Sequence, residues 1–365
     1  MKIVLDAMGG DHAPGVVIDG AVLAAREFPG TEIVLVGQEE IIRTELARHD
    51  TTGLPLSIVH ASEVVEMEEH TEAVKRKRDS SMRVGMRLVK DGRADAFVSA
   101  GNSGGVMAAA LFDLGRIRGI KRPALATVYP AAPTPILLLD MGANTDPKPE
   151  YLVQFARMGT TYVERMWGLS NPRVGIVSNG EEADKGNILV RETYPLLQAS
   201  GLNFIGNVEG KDVTRGMADV VVTDGFTGNV MVKLSEGLVS FLVKYLKAEL
   251  TGGTLNKAGL LLMIPGALAM IPGLLLLIPT LRRIAKRMDY AEYGGAPLLG
   301  VDGVVIIAHG RSNAKAIKNA VRVAKEAVES GMITAIKDGL KRLSVVEKSA
   351  PPPGAEAPGS AAEAC

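Results

Sequence analysis

Short apolar runs alternate with longer amphipathic segments along almost all of this 365-residue chain, and that rhythm admits few folds. A short apolar run bounded by turn residues fits a strand buried on both faces, and an amphipathic segment of ten or more residues fits a helix covering it. Repeated alternation of the two is the pattern of βαβ units and a mainly parallel sheet. The runs Lys2–Asp6, Glu32–Val36, Leu56–Val59, Ala96–Ser99, Ala124–Val128, Ile136–Asp140, Val174–Ser178, Phe204–Gly206, Val220–Thr223 and Val304–Ala308 are predicted strands. Predicted helices include Gly15–Phe28, Glu39–Arg48, Ser81–Lys90, Gly105–Leu114, Glu150–Trp167, Ile188–Gln198, Gly228–Leu250 and Asn313–Ser330. The pattern predicts one large α/β domain over residues 1–345. Residues 346–365 form a Pro/Gly/Ala-rich tail without periodicity, where disorder is expected.

Several predicted strands end in polar, glycine-rich loops. These are Met8-Gly9-Gly10-Asp11-His12, Ser99-Ala100-Gly101-Asn102-Ser103-Gly104-Gly105, Asp140-Met141-Gly142-Ala143-Asn144, Ser178-Asn179-Gly180-Glu181, Thr223-Asp224-Gly225-Phe226-Thr227-Gly228-Asn229 and Ala308-His309-Gly310-Arg311-Ser312-Asn313. In a parallel sheet all of them would gather at the carboxyl edge, where ligands bind. Glycines let backbone N–H groups approach an anion, and a following helix N-terminus adds a favourable dipole. One such loop is an ordinary turn; their repetition points to a binding edge.

Between Ala258 and Pro279 the chain runs 22 residues without a charge, AGLLLMIPGALAMIPGLLLLIP, followed by Arg282, Arg283, Lys286 and Arg287. As one helix this would measure about 33 Å, enough for a bilayer core of about 30 Å. Pro265, Pro272 and Pro279 oppose a straight helix, and a single crossing would separate two parts of one sheet. A membrane-dipping hairpin or interfacial helix pair over about 252–288 is the expectation, with the basic cluster at anionic headgroups. A buried dimer interface is the alternative.

Lys plus Arg and Asp plus Glu both total 41, and this neutrality argues against a nucleic-acid partner. The sole cysteine, Cys365, lies in the tail, so no disulfide or cysteine nucleophile is available to the fold. Charge appears too early for a signal peptide, and a cytoplasmic location is expected. No histidine pair has zinc-ligand spacing and no nucleotide fingerprint is present, so neither a metal nor a cofactor is expected. Gly101-Asn102-Ser103-Gly104-Gly105 satisfies the G-x-S-x-G nucleophile-elbow pattern, with Asp224 and His309 in triad order. The same residues also suit an anion cradle. Lys185, in Asp184-Lys185-Gly186-Asn187, is either a solvated surface lysine or a point charge for a phosphate or developing oxyanion. His12 and His309 either order their loops or transfer protons. Lys75-Arg76-Lys77-Arg78 is a solvated face or a patch for an acidic partner.

Taken together, Met1–Pro14, Ser99–Gly105, Asp140–Asn144, Asp184-Lys185-Gly186-Asn187, Thr223–Asn229 and Glu292-Tyr293-Gly294-Gly295-Ala296-Pro297-Leu298-Leu299-Gly300 resemble the phosphate acyltransferases of bacterial phospholipid synthesis over about residues 1–340. The resemblance implies a homodimeric three-layer α/β/α enzyme with an isopropylmalate-dehydrogenase-like fold and a helical protrusion for peripheral membrane association. It implies transfer of a long acyl chain from acyl carrier protein to inorganic phosphate, and delivery of the acyl phosphate to a membrane glycerol-3-phosphate acyltransferase. By motif position, Lys185, Asn229 and His309 are the catalytic candidates. Asn102, Ser103, Gly104 and Asn144 are the phosphate cradle, oriented by Asp224 and His309. The competing functions are a serine-type thioester hydrolase using Ser103, Asp224 and His309, and a membrane-associated scaffold without activity. The resemblance implies an amphipathic, lysine-rich protrusion; this chain departs from it with a uniformly apolar one, which favours deeper insertion.

Overall fold

Each of the ten predicted runs forms a strand, and an eleventh strand joins them. The computed structural model describes residues 1–251, 275–280 and 290–349. The strands are β1 (Lys2–Asp6), β2 (Glu32–Gly37), β3 (Leu56–His60), β4 (Ala96–Ser99), β5 (Ala124–Tyr129), β6 (Ile136–Leu139), β7 (Val174–Val177), β8 (Phe204–Val208), β9 (Val220–Val222), β10 (Ala296–Leu299) and β11 (Val304–Ile307). Among the described residues they make one sheet in the order β3-β2-β1-β4-β11-β10-β5-β6-β9-β7-β8. The unforeseen strand, β10, contains Pro297, which has no N–H to donate to a ladder. Accordingly β10 pairs with β11 only through Ala296 and Pro297, and with β5 only through Leu298 and Leu299.

Helices cover both faces. Aliphatic side chains at alternate strand positions, such as Ile3, Leu5, Leu137 and Val222, pack against the helices Gly15–Glu27, Pro149–Trp167 and Ala314–Glu329. Their intervening neighbours Val4, Phe97 and Val305 face Ser81–Lys90 and Ser103–Asp113 on the other side. With few aromatics, this core depends on close aliphatic packing. Phe155 and Ile18 have no exposed surface, and each such side chain contributes about 1.5–3 kcal/mol by leaving water. The three-layer α/β/α expectation is met.

One expectation is corrected. β1, β2, β3, β4, β11 and β5 run one way, but the antiparallel β10 and the antiparallel β5–β6 pair reverse the direction, so β6, β9, β7 and β8 run the other way. The glycine-rich loops therefore do not share one carboxyl edge. Those after β1, β4 and β11 leave one edge, and those after β6, β7 and β9 leave the opposite edge. Antiparallel neighbours inside an alternating β/α pattern leave no trace in hydrophobic periodicity.

β10 and β11 follow the apolar segment in sequence yet lie between β4 and β5, so both of its flanks share one sheet. Of Ala258–Pro279, only 275–279 fall among the described residues; 275–280 are helical, and Leu276 is 82% exposed. The rest of the segment and the cluster Arg282, Arg283, Lys286 and Arg287 lie outside the described residues. The helix Met332–Ser349 continues past the expected domain end at 345, and 350–365 lie outside the described residues. Within the helix Gly225–Thr251, the stretch Gly225–Glu249 is long and apolar enough to cross a membrane and lies largely on the surface. Leu234, Leu238, Phe241 and Tyr245, at helical spacing, are all more than half exposed.

Candidate active site

Two buried aspartates organise the strand-end loops, one in each half of the sheet. Asp6 closes β1 with no exposed surface. Its carboxylate accepts from Ser99 Oγ at 2.7 Å and from the Met8 N–H at 3.2 Å, while Ser99 Oγ accepts from the Gly101 N–H at 3.0 Å. A Cβ on Gly9 would stand 2.6 Å from Asp6 Oδ2 and 2.8 Å from Gly101 N, so only glycine fits there. The Asp11 N–H donates to Gly310 O at 2.9 Å. The loops after β1, β4 and β11 thus form one unit.

Asp140 plays the same part after β6. It has no exposed surface and accepts from the N–H groups of Leu125, Ala143 and Asn144 and from Asn144 Nδ2. Asn144 O accepts from the Gly225 N–H at 2.7 Å, joining this loop to the start of Gly225–Thr251. A Cβ on Gly228 would lie 1.9 Å from Asp140 O, so the first turn of that helix rests directly on the loop. Burial pushes both carboxyls above the usual carboxylate range. Hydrogen bonds oppose the shift, from Ser81, Ser99, Met8 and Gly9 at Asp6 and from Asn144, Leu125 and Ala143 at Asp140.

A cavity of about 420 Å³ opens where the sheet changes direction, between the helices over the first half and Gly225–Thr251 over the second. Its walls include Leu125, Met141, Val232 and Val239, with Ser103 and His309 adding polar groups. The first set of loops supplies Ser103, His309, Arg311 and Ser312 to this cavity, and the second set supplies Met141. Tyr129 and Ser235, 2.5 Å apart through their hydroxyls, tie β5 to the long helix at this cavity.

The candidate residues separate into distinct groups. Asn102 is fully engaged: Oδ1 caps the helix by accepting from the Gly105 N–H, and Nδ2 donates to Met67 O and Glu69 O. Its side chain orders the loop and is not free to hold an anion. Gly104 lies in the first turn of Ser103–Asp113 beside it. Ser103 and His309 line the cavity. Asn144, Asp224 and Asn229 gather at the second set of loops, with Asn229 Nδ2 3.7 Å from where a Gly142 Cβ would stand. Lys185 is exposed and does not line the cavity. Its neighbour Asn187 caps the next helix through the Val190 N–H, and Asn313 does the same through Ala316. Some of the asparagines that mark the loops in sequence are thus helix caps.

The serine triad is not assembled. Asp224 accepts from the N–H and hydroxyl of Thr227, and His309 Nδ1 accepts from the Arg311 N–H. Among the described residues no hydrogen bond joins Ser103 to His309 or His309 to Asp224, as a nucleophile and its base would require. Glu181, Glu209 and Asp212 are close enough to hold a cation, but Lys211 already pairs with Glu181 and Glu209. Sequence reasoning passed over Asp6, Asp140 and Arg311, which also lines the cavity. The signal available was an aspartate closing an apolar strand, a residue type disfavoured in that position.

The family model described as "Fatty acid synthesis protein" matches residues 1–335. The phosphate acyltransferase of Desulfitobacterium hafniense (strain Y51) is 52% identical over 350 residues, covering 95% of this chain and 100% of that protein. The phosphate acyltransferase of Herpetosiphon aurantiacus is 51% identical over 366 residues, covering 95% of this chain and 99% of that protein. The chain belongs to the phosphate acyltransferase family. As a phosphate acyltransferase family member it is an enzyme of the acyltransferase class. Solved structures agree on the fold. A Streptococcus pyogenes phosphotransacetylase superposes with a TM-score of 0.56 at 17% identity, over 93% of this chain and 94% of that one. A 4-hydroxythreonine-4-phosphate dehydrogenase from Klebsiella pneumoniae reaches 0.53 at 12% identity, over 90% and 98%. The dehydrogenase-like architecture expected of this family is therefore present.

Proposed function

We propose that this enzyme transfers a long acyl chain from the thioester of acyl carrier protein to inorganic phosphate, releasing acyl phosphate for phospholipid synthesis. The observation that most supports this reading is the cavity itself. Its apolar walls suit an acyl chain, and the N-terminus of Ser103–Asp113 on the same wall suits an anion. A phosphate oxygen attacks the thioester carbonyl carbon, the carbon–sulfur bond breaks, and the carrier thiolate leaves and takes up a proton. Phosphate is an adequate nucleophile, and a thiol of pKa about 8.5 is an adequate leaving group. The reaction needs positioning and oxyanion stabilisation more than a strong base.

In this reading Ser103, Gly104 and Asn144 hold phosphate, while Asn102, Asp224 and the two buried aspartates fix the loops that present them. Asn229 and Lys185 stabilise the developing charge, and His309 borders the reacting carbonyl. Lys185 stands outside the cavity walls, in the loop after β7, and this role requires its long side chain to reach in. The exposed ridge Leu234, Leu238, Phe241 and Tyr245 is the homodimer contact. The segment Ala258–Pro279 with its basic cluster docks a cytoplasmic enzyme on the membrane, where the membrane glycerol-3-phosphate acyltransferase consumes its product. Acyl carrier protein thioester supplied with and without phosphate tests the reading. Phosphate-dependent thiol release supports transfer. Phosphate-independent release supports a hydrolase, and no release supports a scaffold.

A further inference from the structure

Arg311 lies two residues beyond His309 in the loop after β11, and it lines the cavity. Among the described residues of that wall, the only ones with full formal charges are Arg311 and Glu236. Their guanidinium and carboxylate are 3.4 Å apart, with side chains 65% and 44% exposed. A well-formed charged pair closes to about 2.7–2.9 Å, so this contact is loose. An exposed pair of this kind contributes between about 0 and 1 kcal/mol, little enough for a competing anion to displace it.

The loop itself is firmly held. The Arg311 N–H donates to His309 Nδ1 at 3.3 Å, Gly310 O accepts from Asp11, and Asn313 caps the following helix. A fixed backbone thus carries a cation with a weak partner, at the rim of a cavity whose walls include the apolar Leu125, Met141 and Val239. Phosphate entering such surroundings gives up hydration and needs a compensating charge. The planar guanidinium fork can meet two phosphate oxygens at once, which the contact with Glu236 at this spacing does not exploit.

Resting on the acyl-transfer reading above, we propose that Arg311 is the residue that receives inorganic phosphate at the cavity rim, with Glu236 the carboxylate that phosphate displaces. The two side chains then affect phosphate in opposite directions. Arg311→Ala removes the attraction, whereas Glu236→Gln removes the competitor and leaves the guanidinium free.

The test measures KM for phosphate at saturating acyl carrier protein thioester, and KM for the thioester at saturating phosphate, in the wild type, Arg311→Ala, Arg311→Lys and Glu236→Gln. Arg311→Ala should raise the phosphate KM by about ten- to a hundredfold, the loss of a hydrogen bond to a charged group. Arg311→Lys should recover part of that loss, and Glu236→Gln should lower the phosphate KM. An unchanged phosphate KM in Arg311→Ala would overturn the proposal. So would a rise confined to the thioester KM, or a Glu236→Gln variant weakened as Arg311→Ala is, which would make the pair a structural clamp. Calorimetric titration of phosphate into the same four proteins reads affinity without turnover. A wild type that binds phosphate through Arg311 but shows no phosphate-dependent thiol release would remove the acyl-transfer reading and keep this site. A wild type that turns over while its affinity ignores Arg311 would do the reverse.

Discussion

Replacing Asp140 with asparagine removes one buried charge with almost no change of shape. One carboxylate oxygen accepts from Leu125 N at 2.9 Å and Ala143 N at 3.1 Å; the other accepts from Asn144 N at 2.6 Å and Nδ2 at 2.9 Å. An asparagine that keeps the first pair turns its own NH₂ toward two donors. The Asn144 side chain retains Pro123 O, but its backbone N–H loses its acceptor. A buried orphaned donor costs about 1–3 kcal/mol, and the surviving bonds weaken as the charge is lost. Relief of carboxylate desolvation offsets part of this, leaving a net loss of about 2 kcal/mol. Denaturant titration at neutral pH reads that loss, and hydrogen exchange at Asn144 locates it.

The pH dependence has a definite sign. Burial raises the Asp140 pKa, so this group's contribution to stability is fully present below its unfolded pKa, about 3.9, and is lost as pH rises through the folded value. The deficit of Asp140→Asn should therefore narrow from acid toward neutral pH. Asp6 is present in both proteins and cancels. A variant as stable as the wild type, with its Asn144 amide equally protected, would refute the reasoning; so would a deficit that widens with pH.

Lys185→Ala should lower phosphate-dependent turnover by about 10²–10³-fold, as for one oxyanion-stabilising donor, and leave the melting temperature near wild type because the side chain is exposed. Turnover within a small factor of wild type would take Lys185 out of the mechanism. Ser103→Ala should cost about 1–2 kcal/mol, seen as weaker phosphate affinity, since only a cradle hydroxyl is lost. A fall of several orders of magnitude at every phosphate concentration, or an acyl group trapped on Ser103, would restore the hydrolase. Placing Asp at Leu262 and Leu276 should release the protein from anionic vesicles, each charge costing up to about 2.5–3.5 kcal/mol at the bilayer centre, while activity in solution survives. Retained vesicle binding in a dissociated, inactive protein would make the segment a dimer interface instead.

The strands were legible in the sequence because each is a short, mainly aliphatic run bounded by turn residues, buried on both faces except at the edge strands β3 and β8, and only Pro297 disguised one of them. Strand direction was not legible. β6 and β9 have the same composition whichever way they run, so the separation of the loops onto two edges could be known only from pairing. At the site, three of the glycine-rich loops, 99–105, 140–144 and 308–313, supply cavity walls, whereas those after β1, β7 and β9 do not. The roles of individual asparagines did not follow, since Asn102, Asn187 and Asn313 cap helices with the same chemistry that would bind an anion. Arg311 was hidden by its ordinariness: one arginine among 41 basic residues acquires meaning only when its loop folds against a cavity.

The fate of phosphate tests the central claim most directly. Purified protein, acyl carrier protein thioester and phosphate should be followed together by phosphorus NMR and a thiol assay. Acyl transfer predicts one acyl phosphate formed for each thiol released, and neither product when phosphate is omitted. Free fatty acid appearing in step with thiol from the first time point, without an acyl phosphate signal, would contradict it.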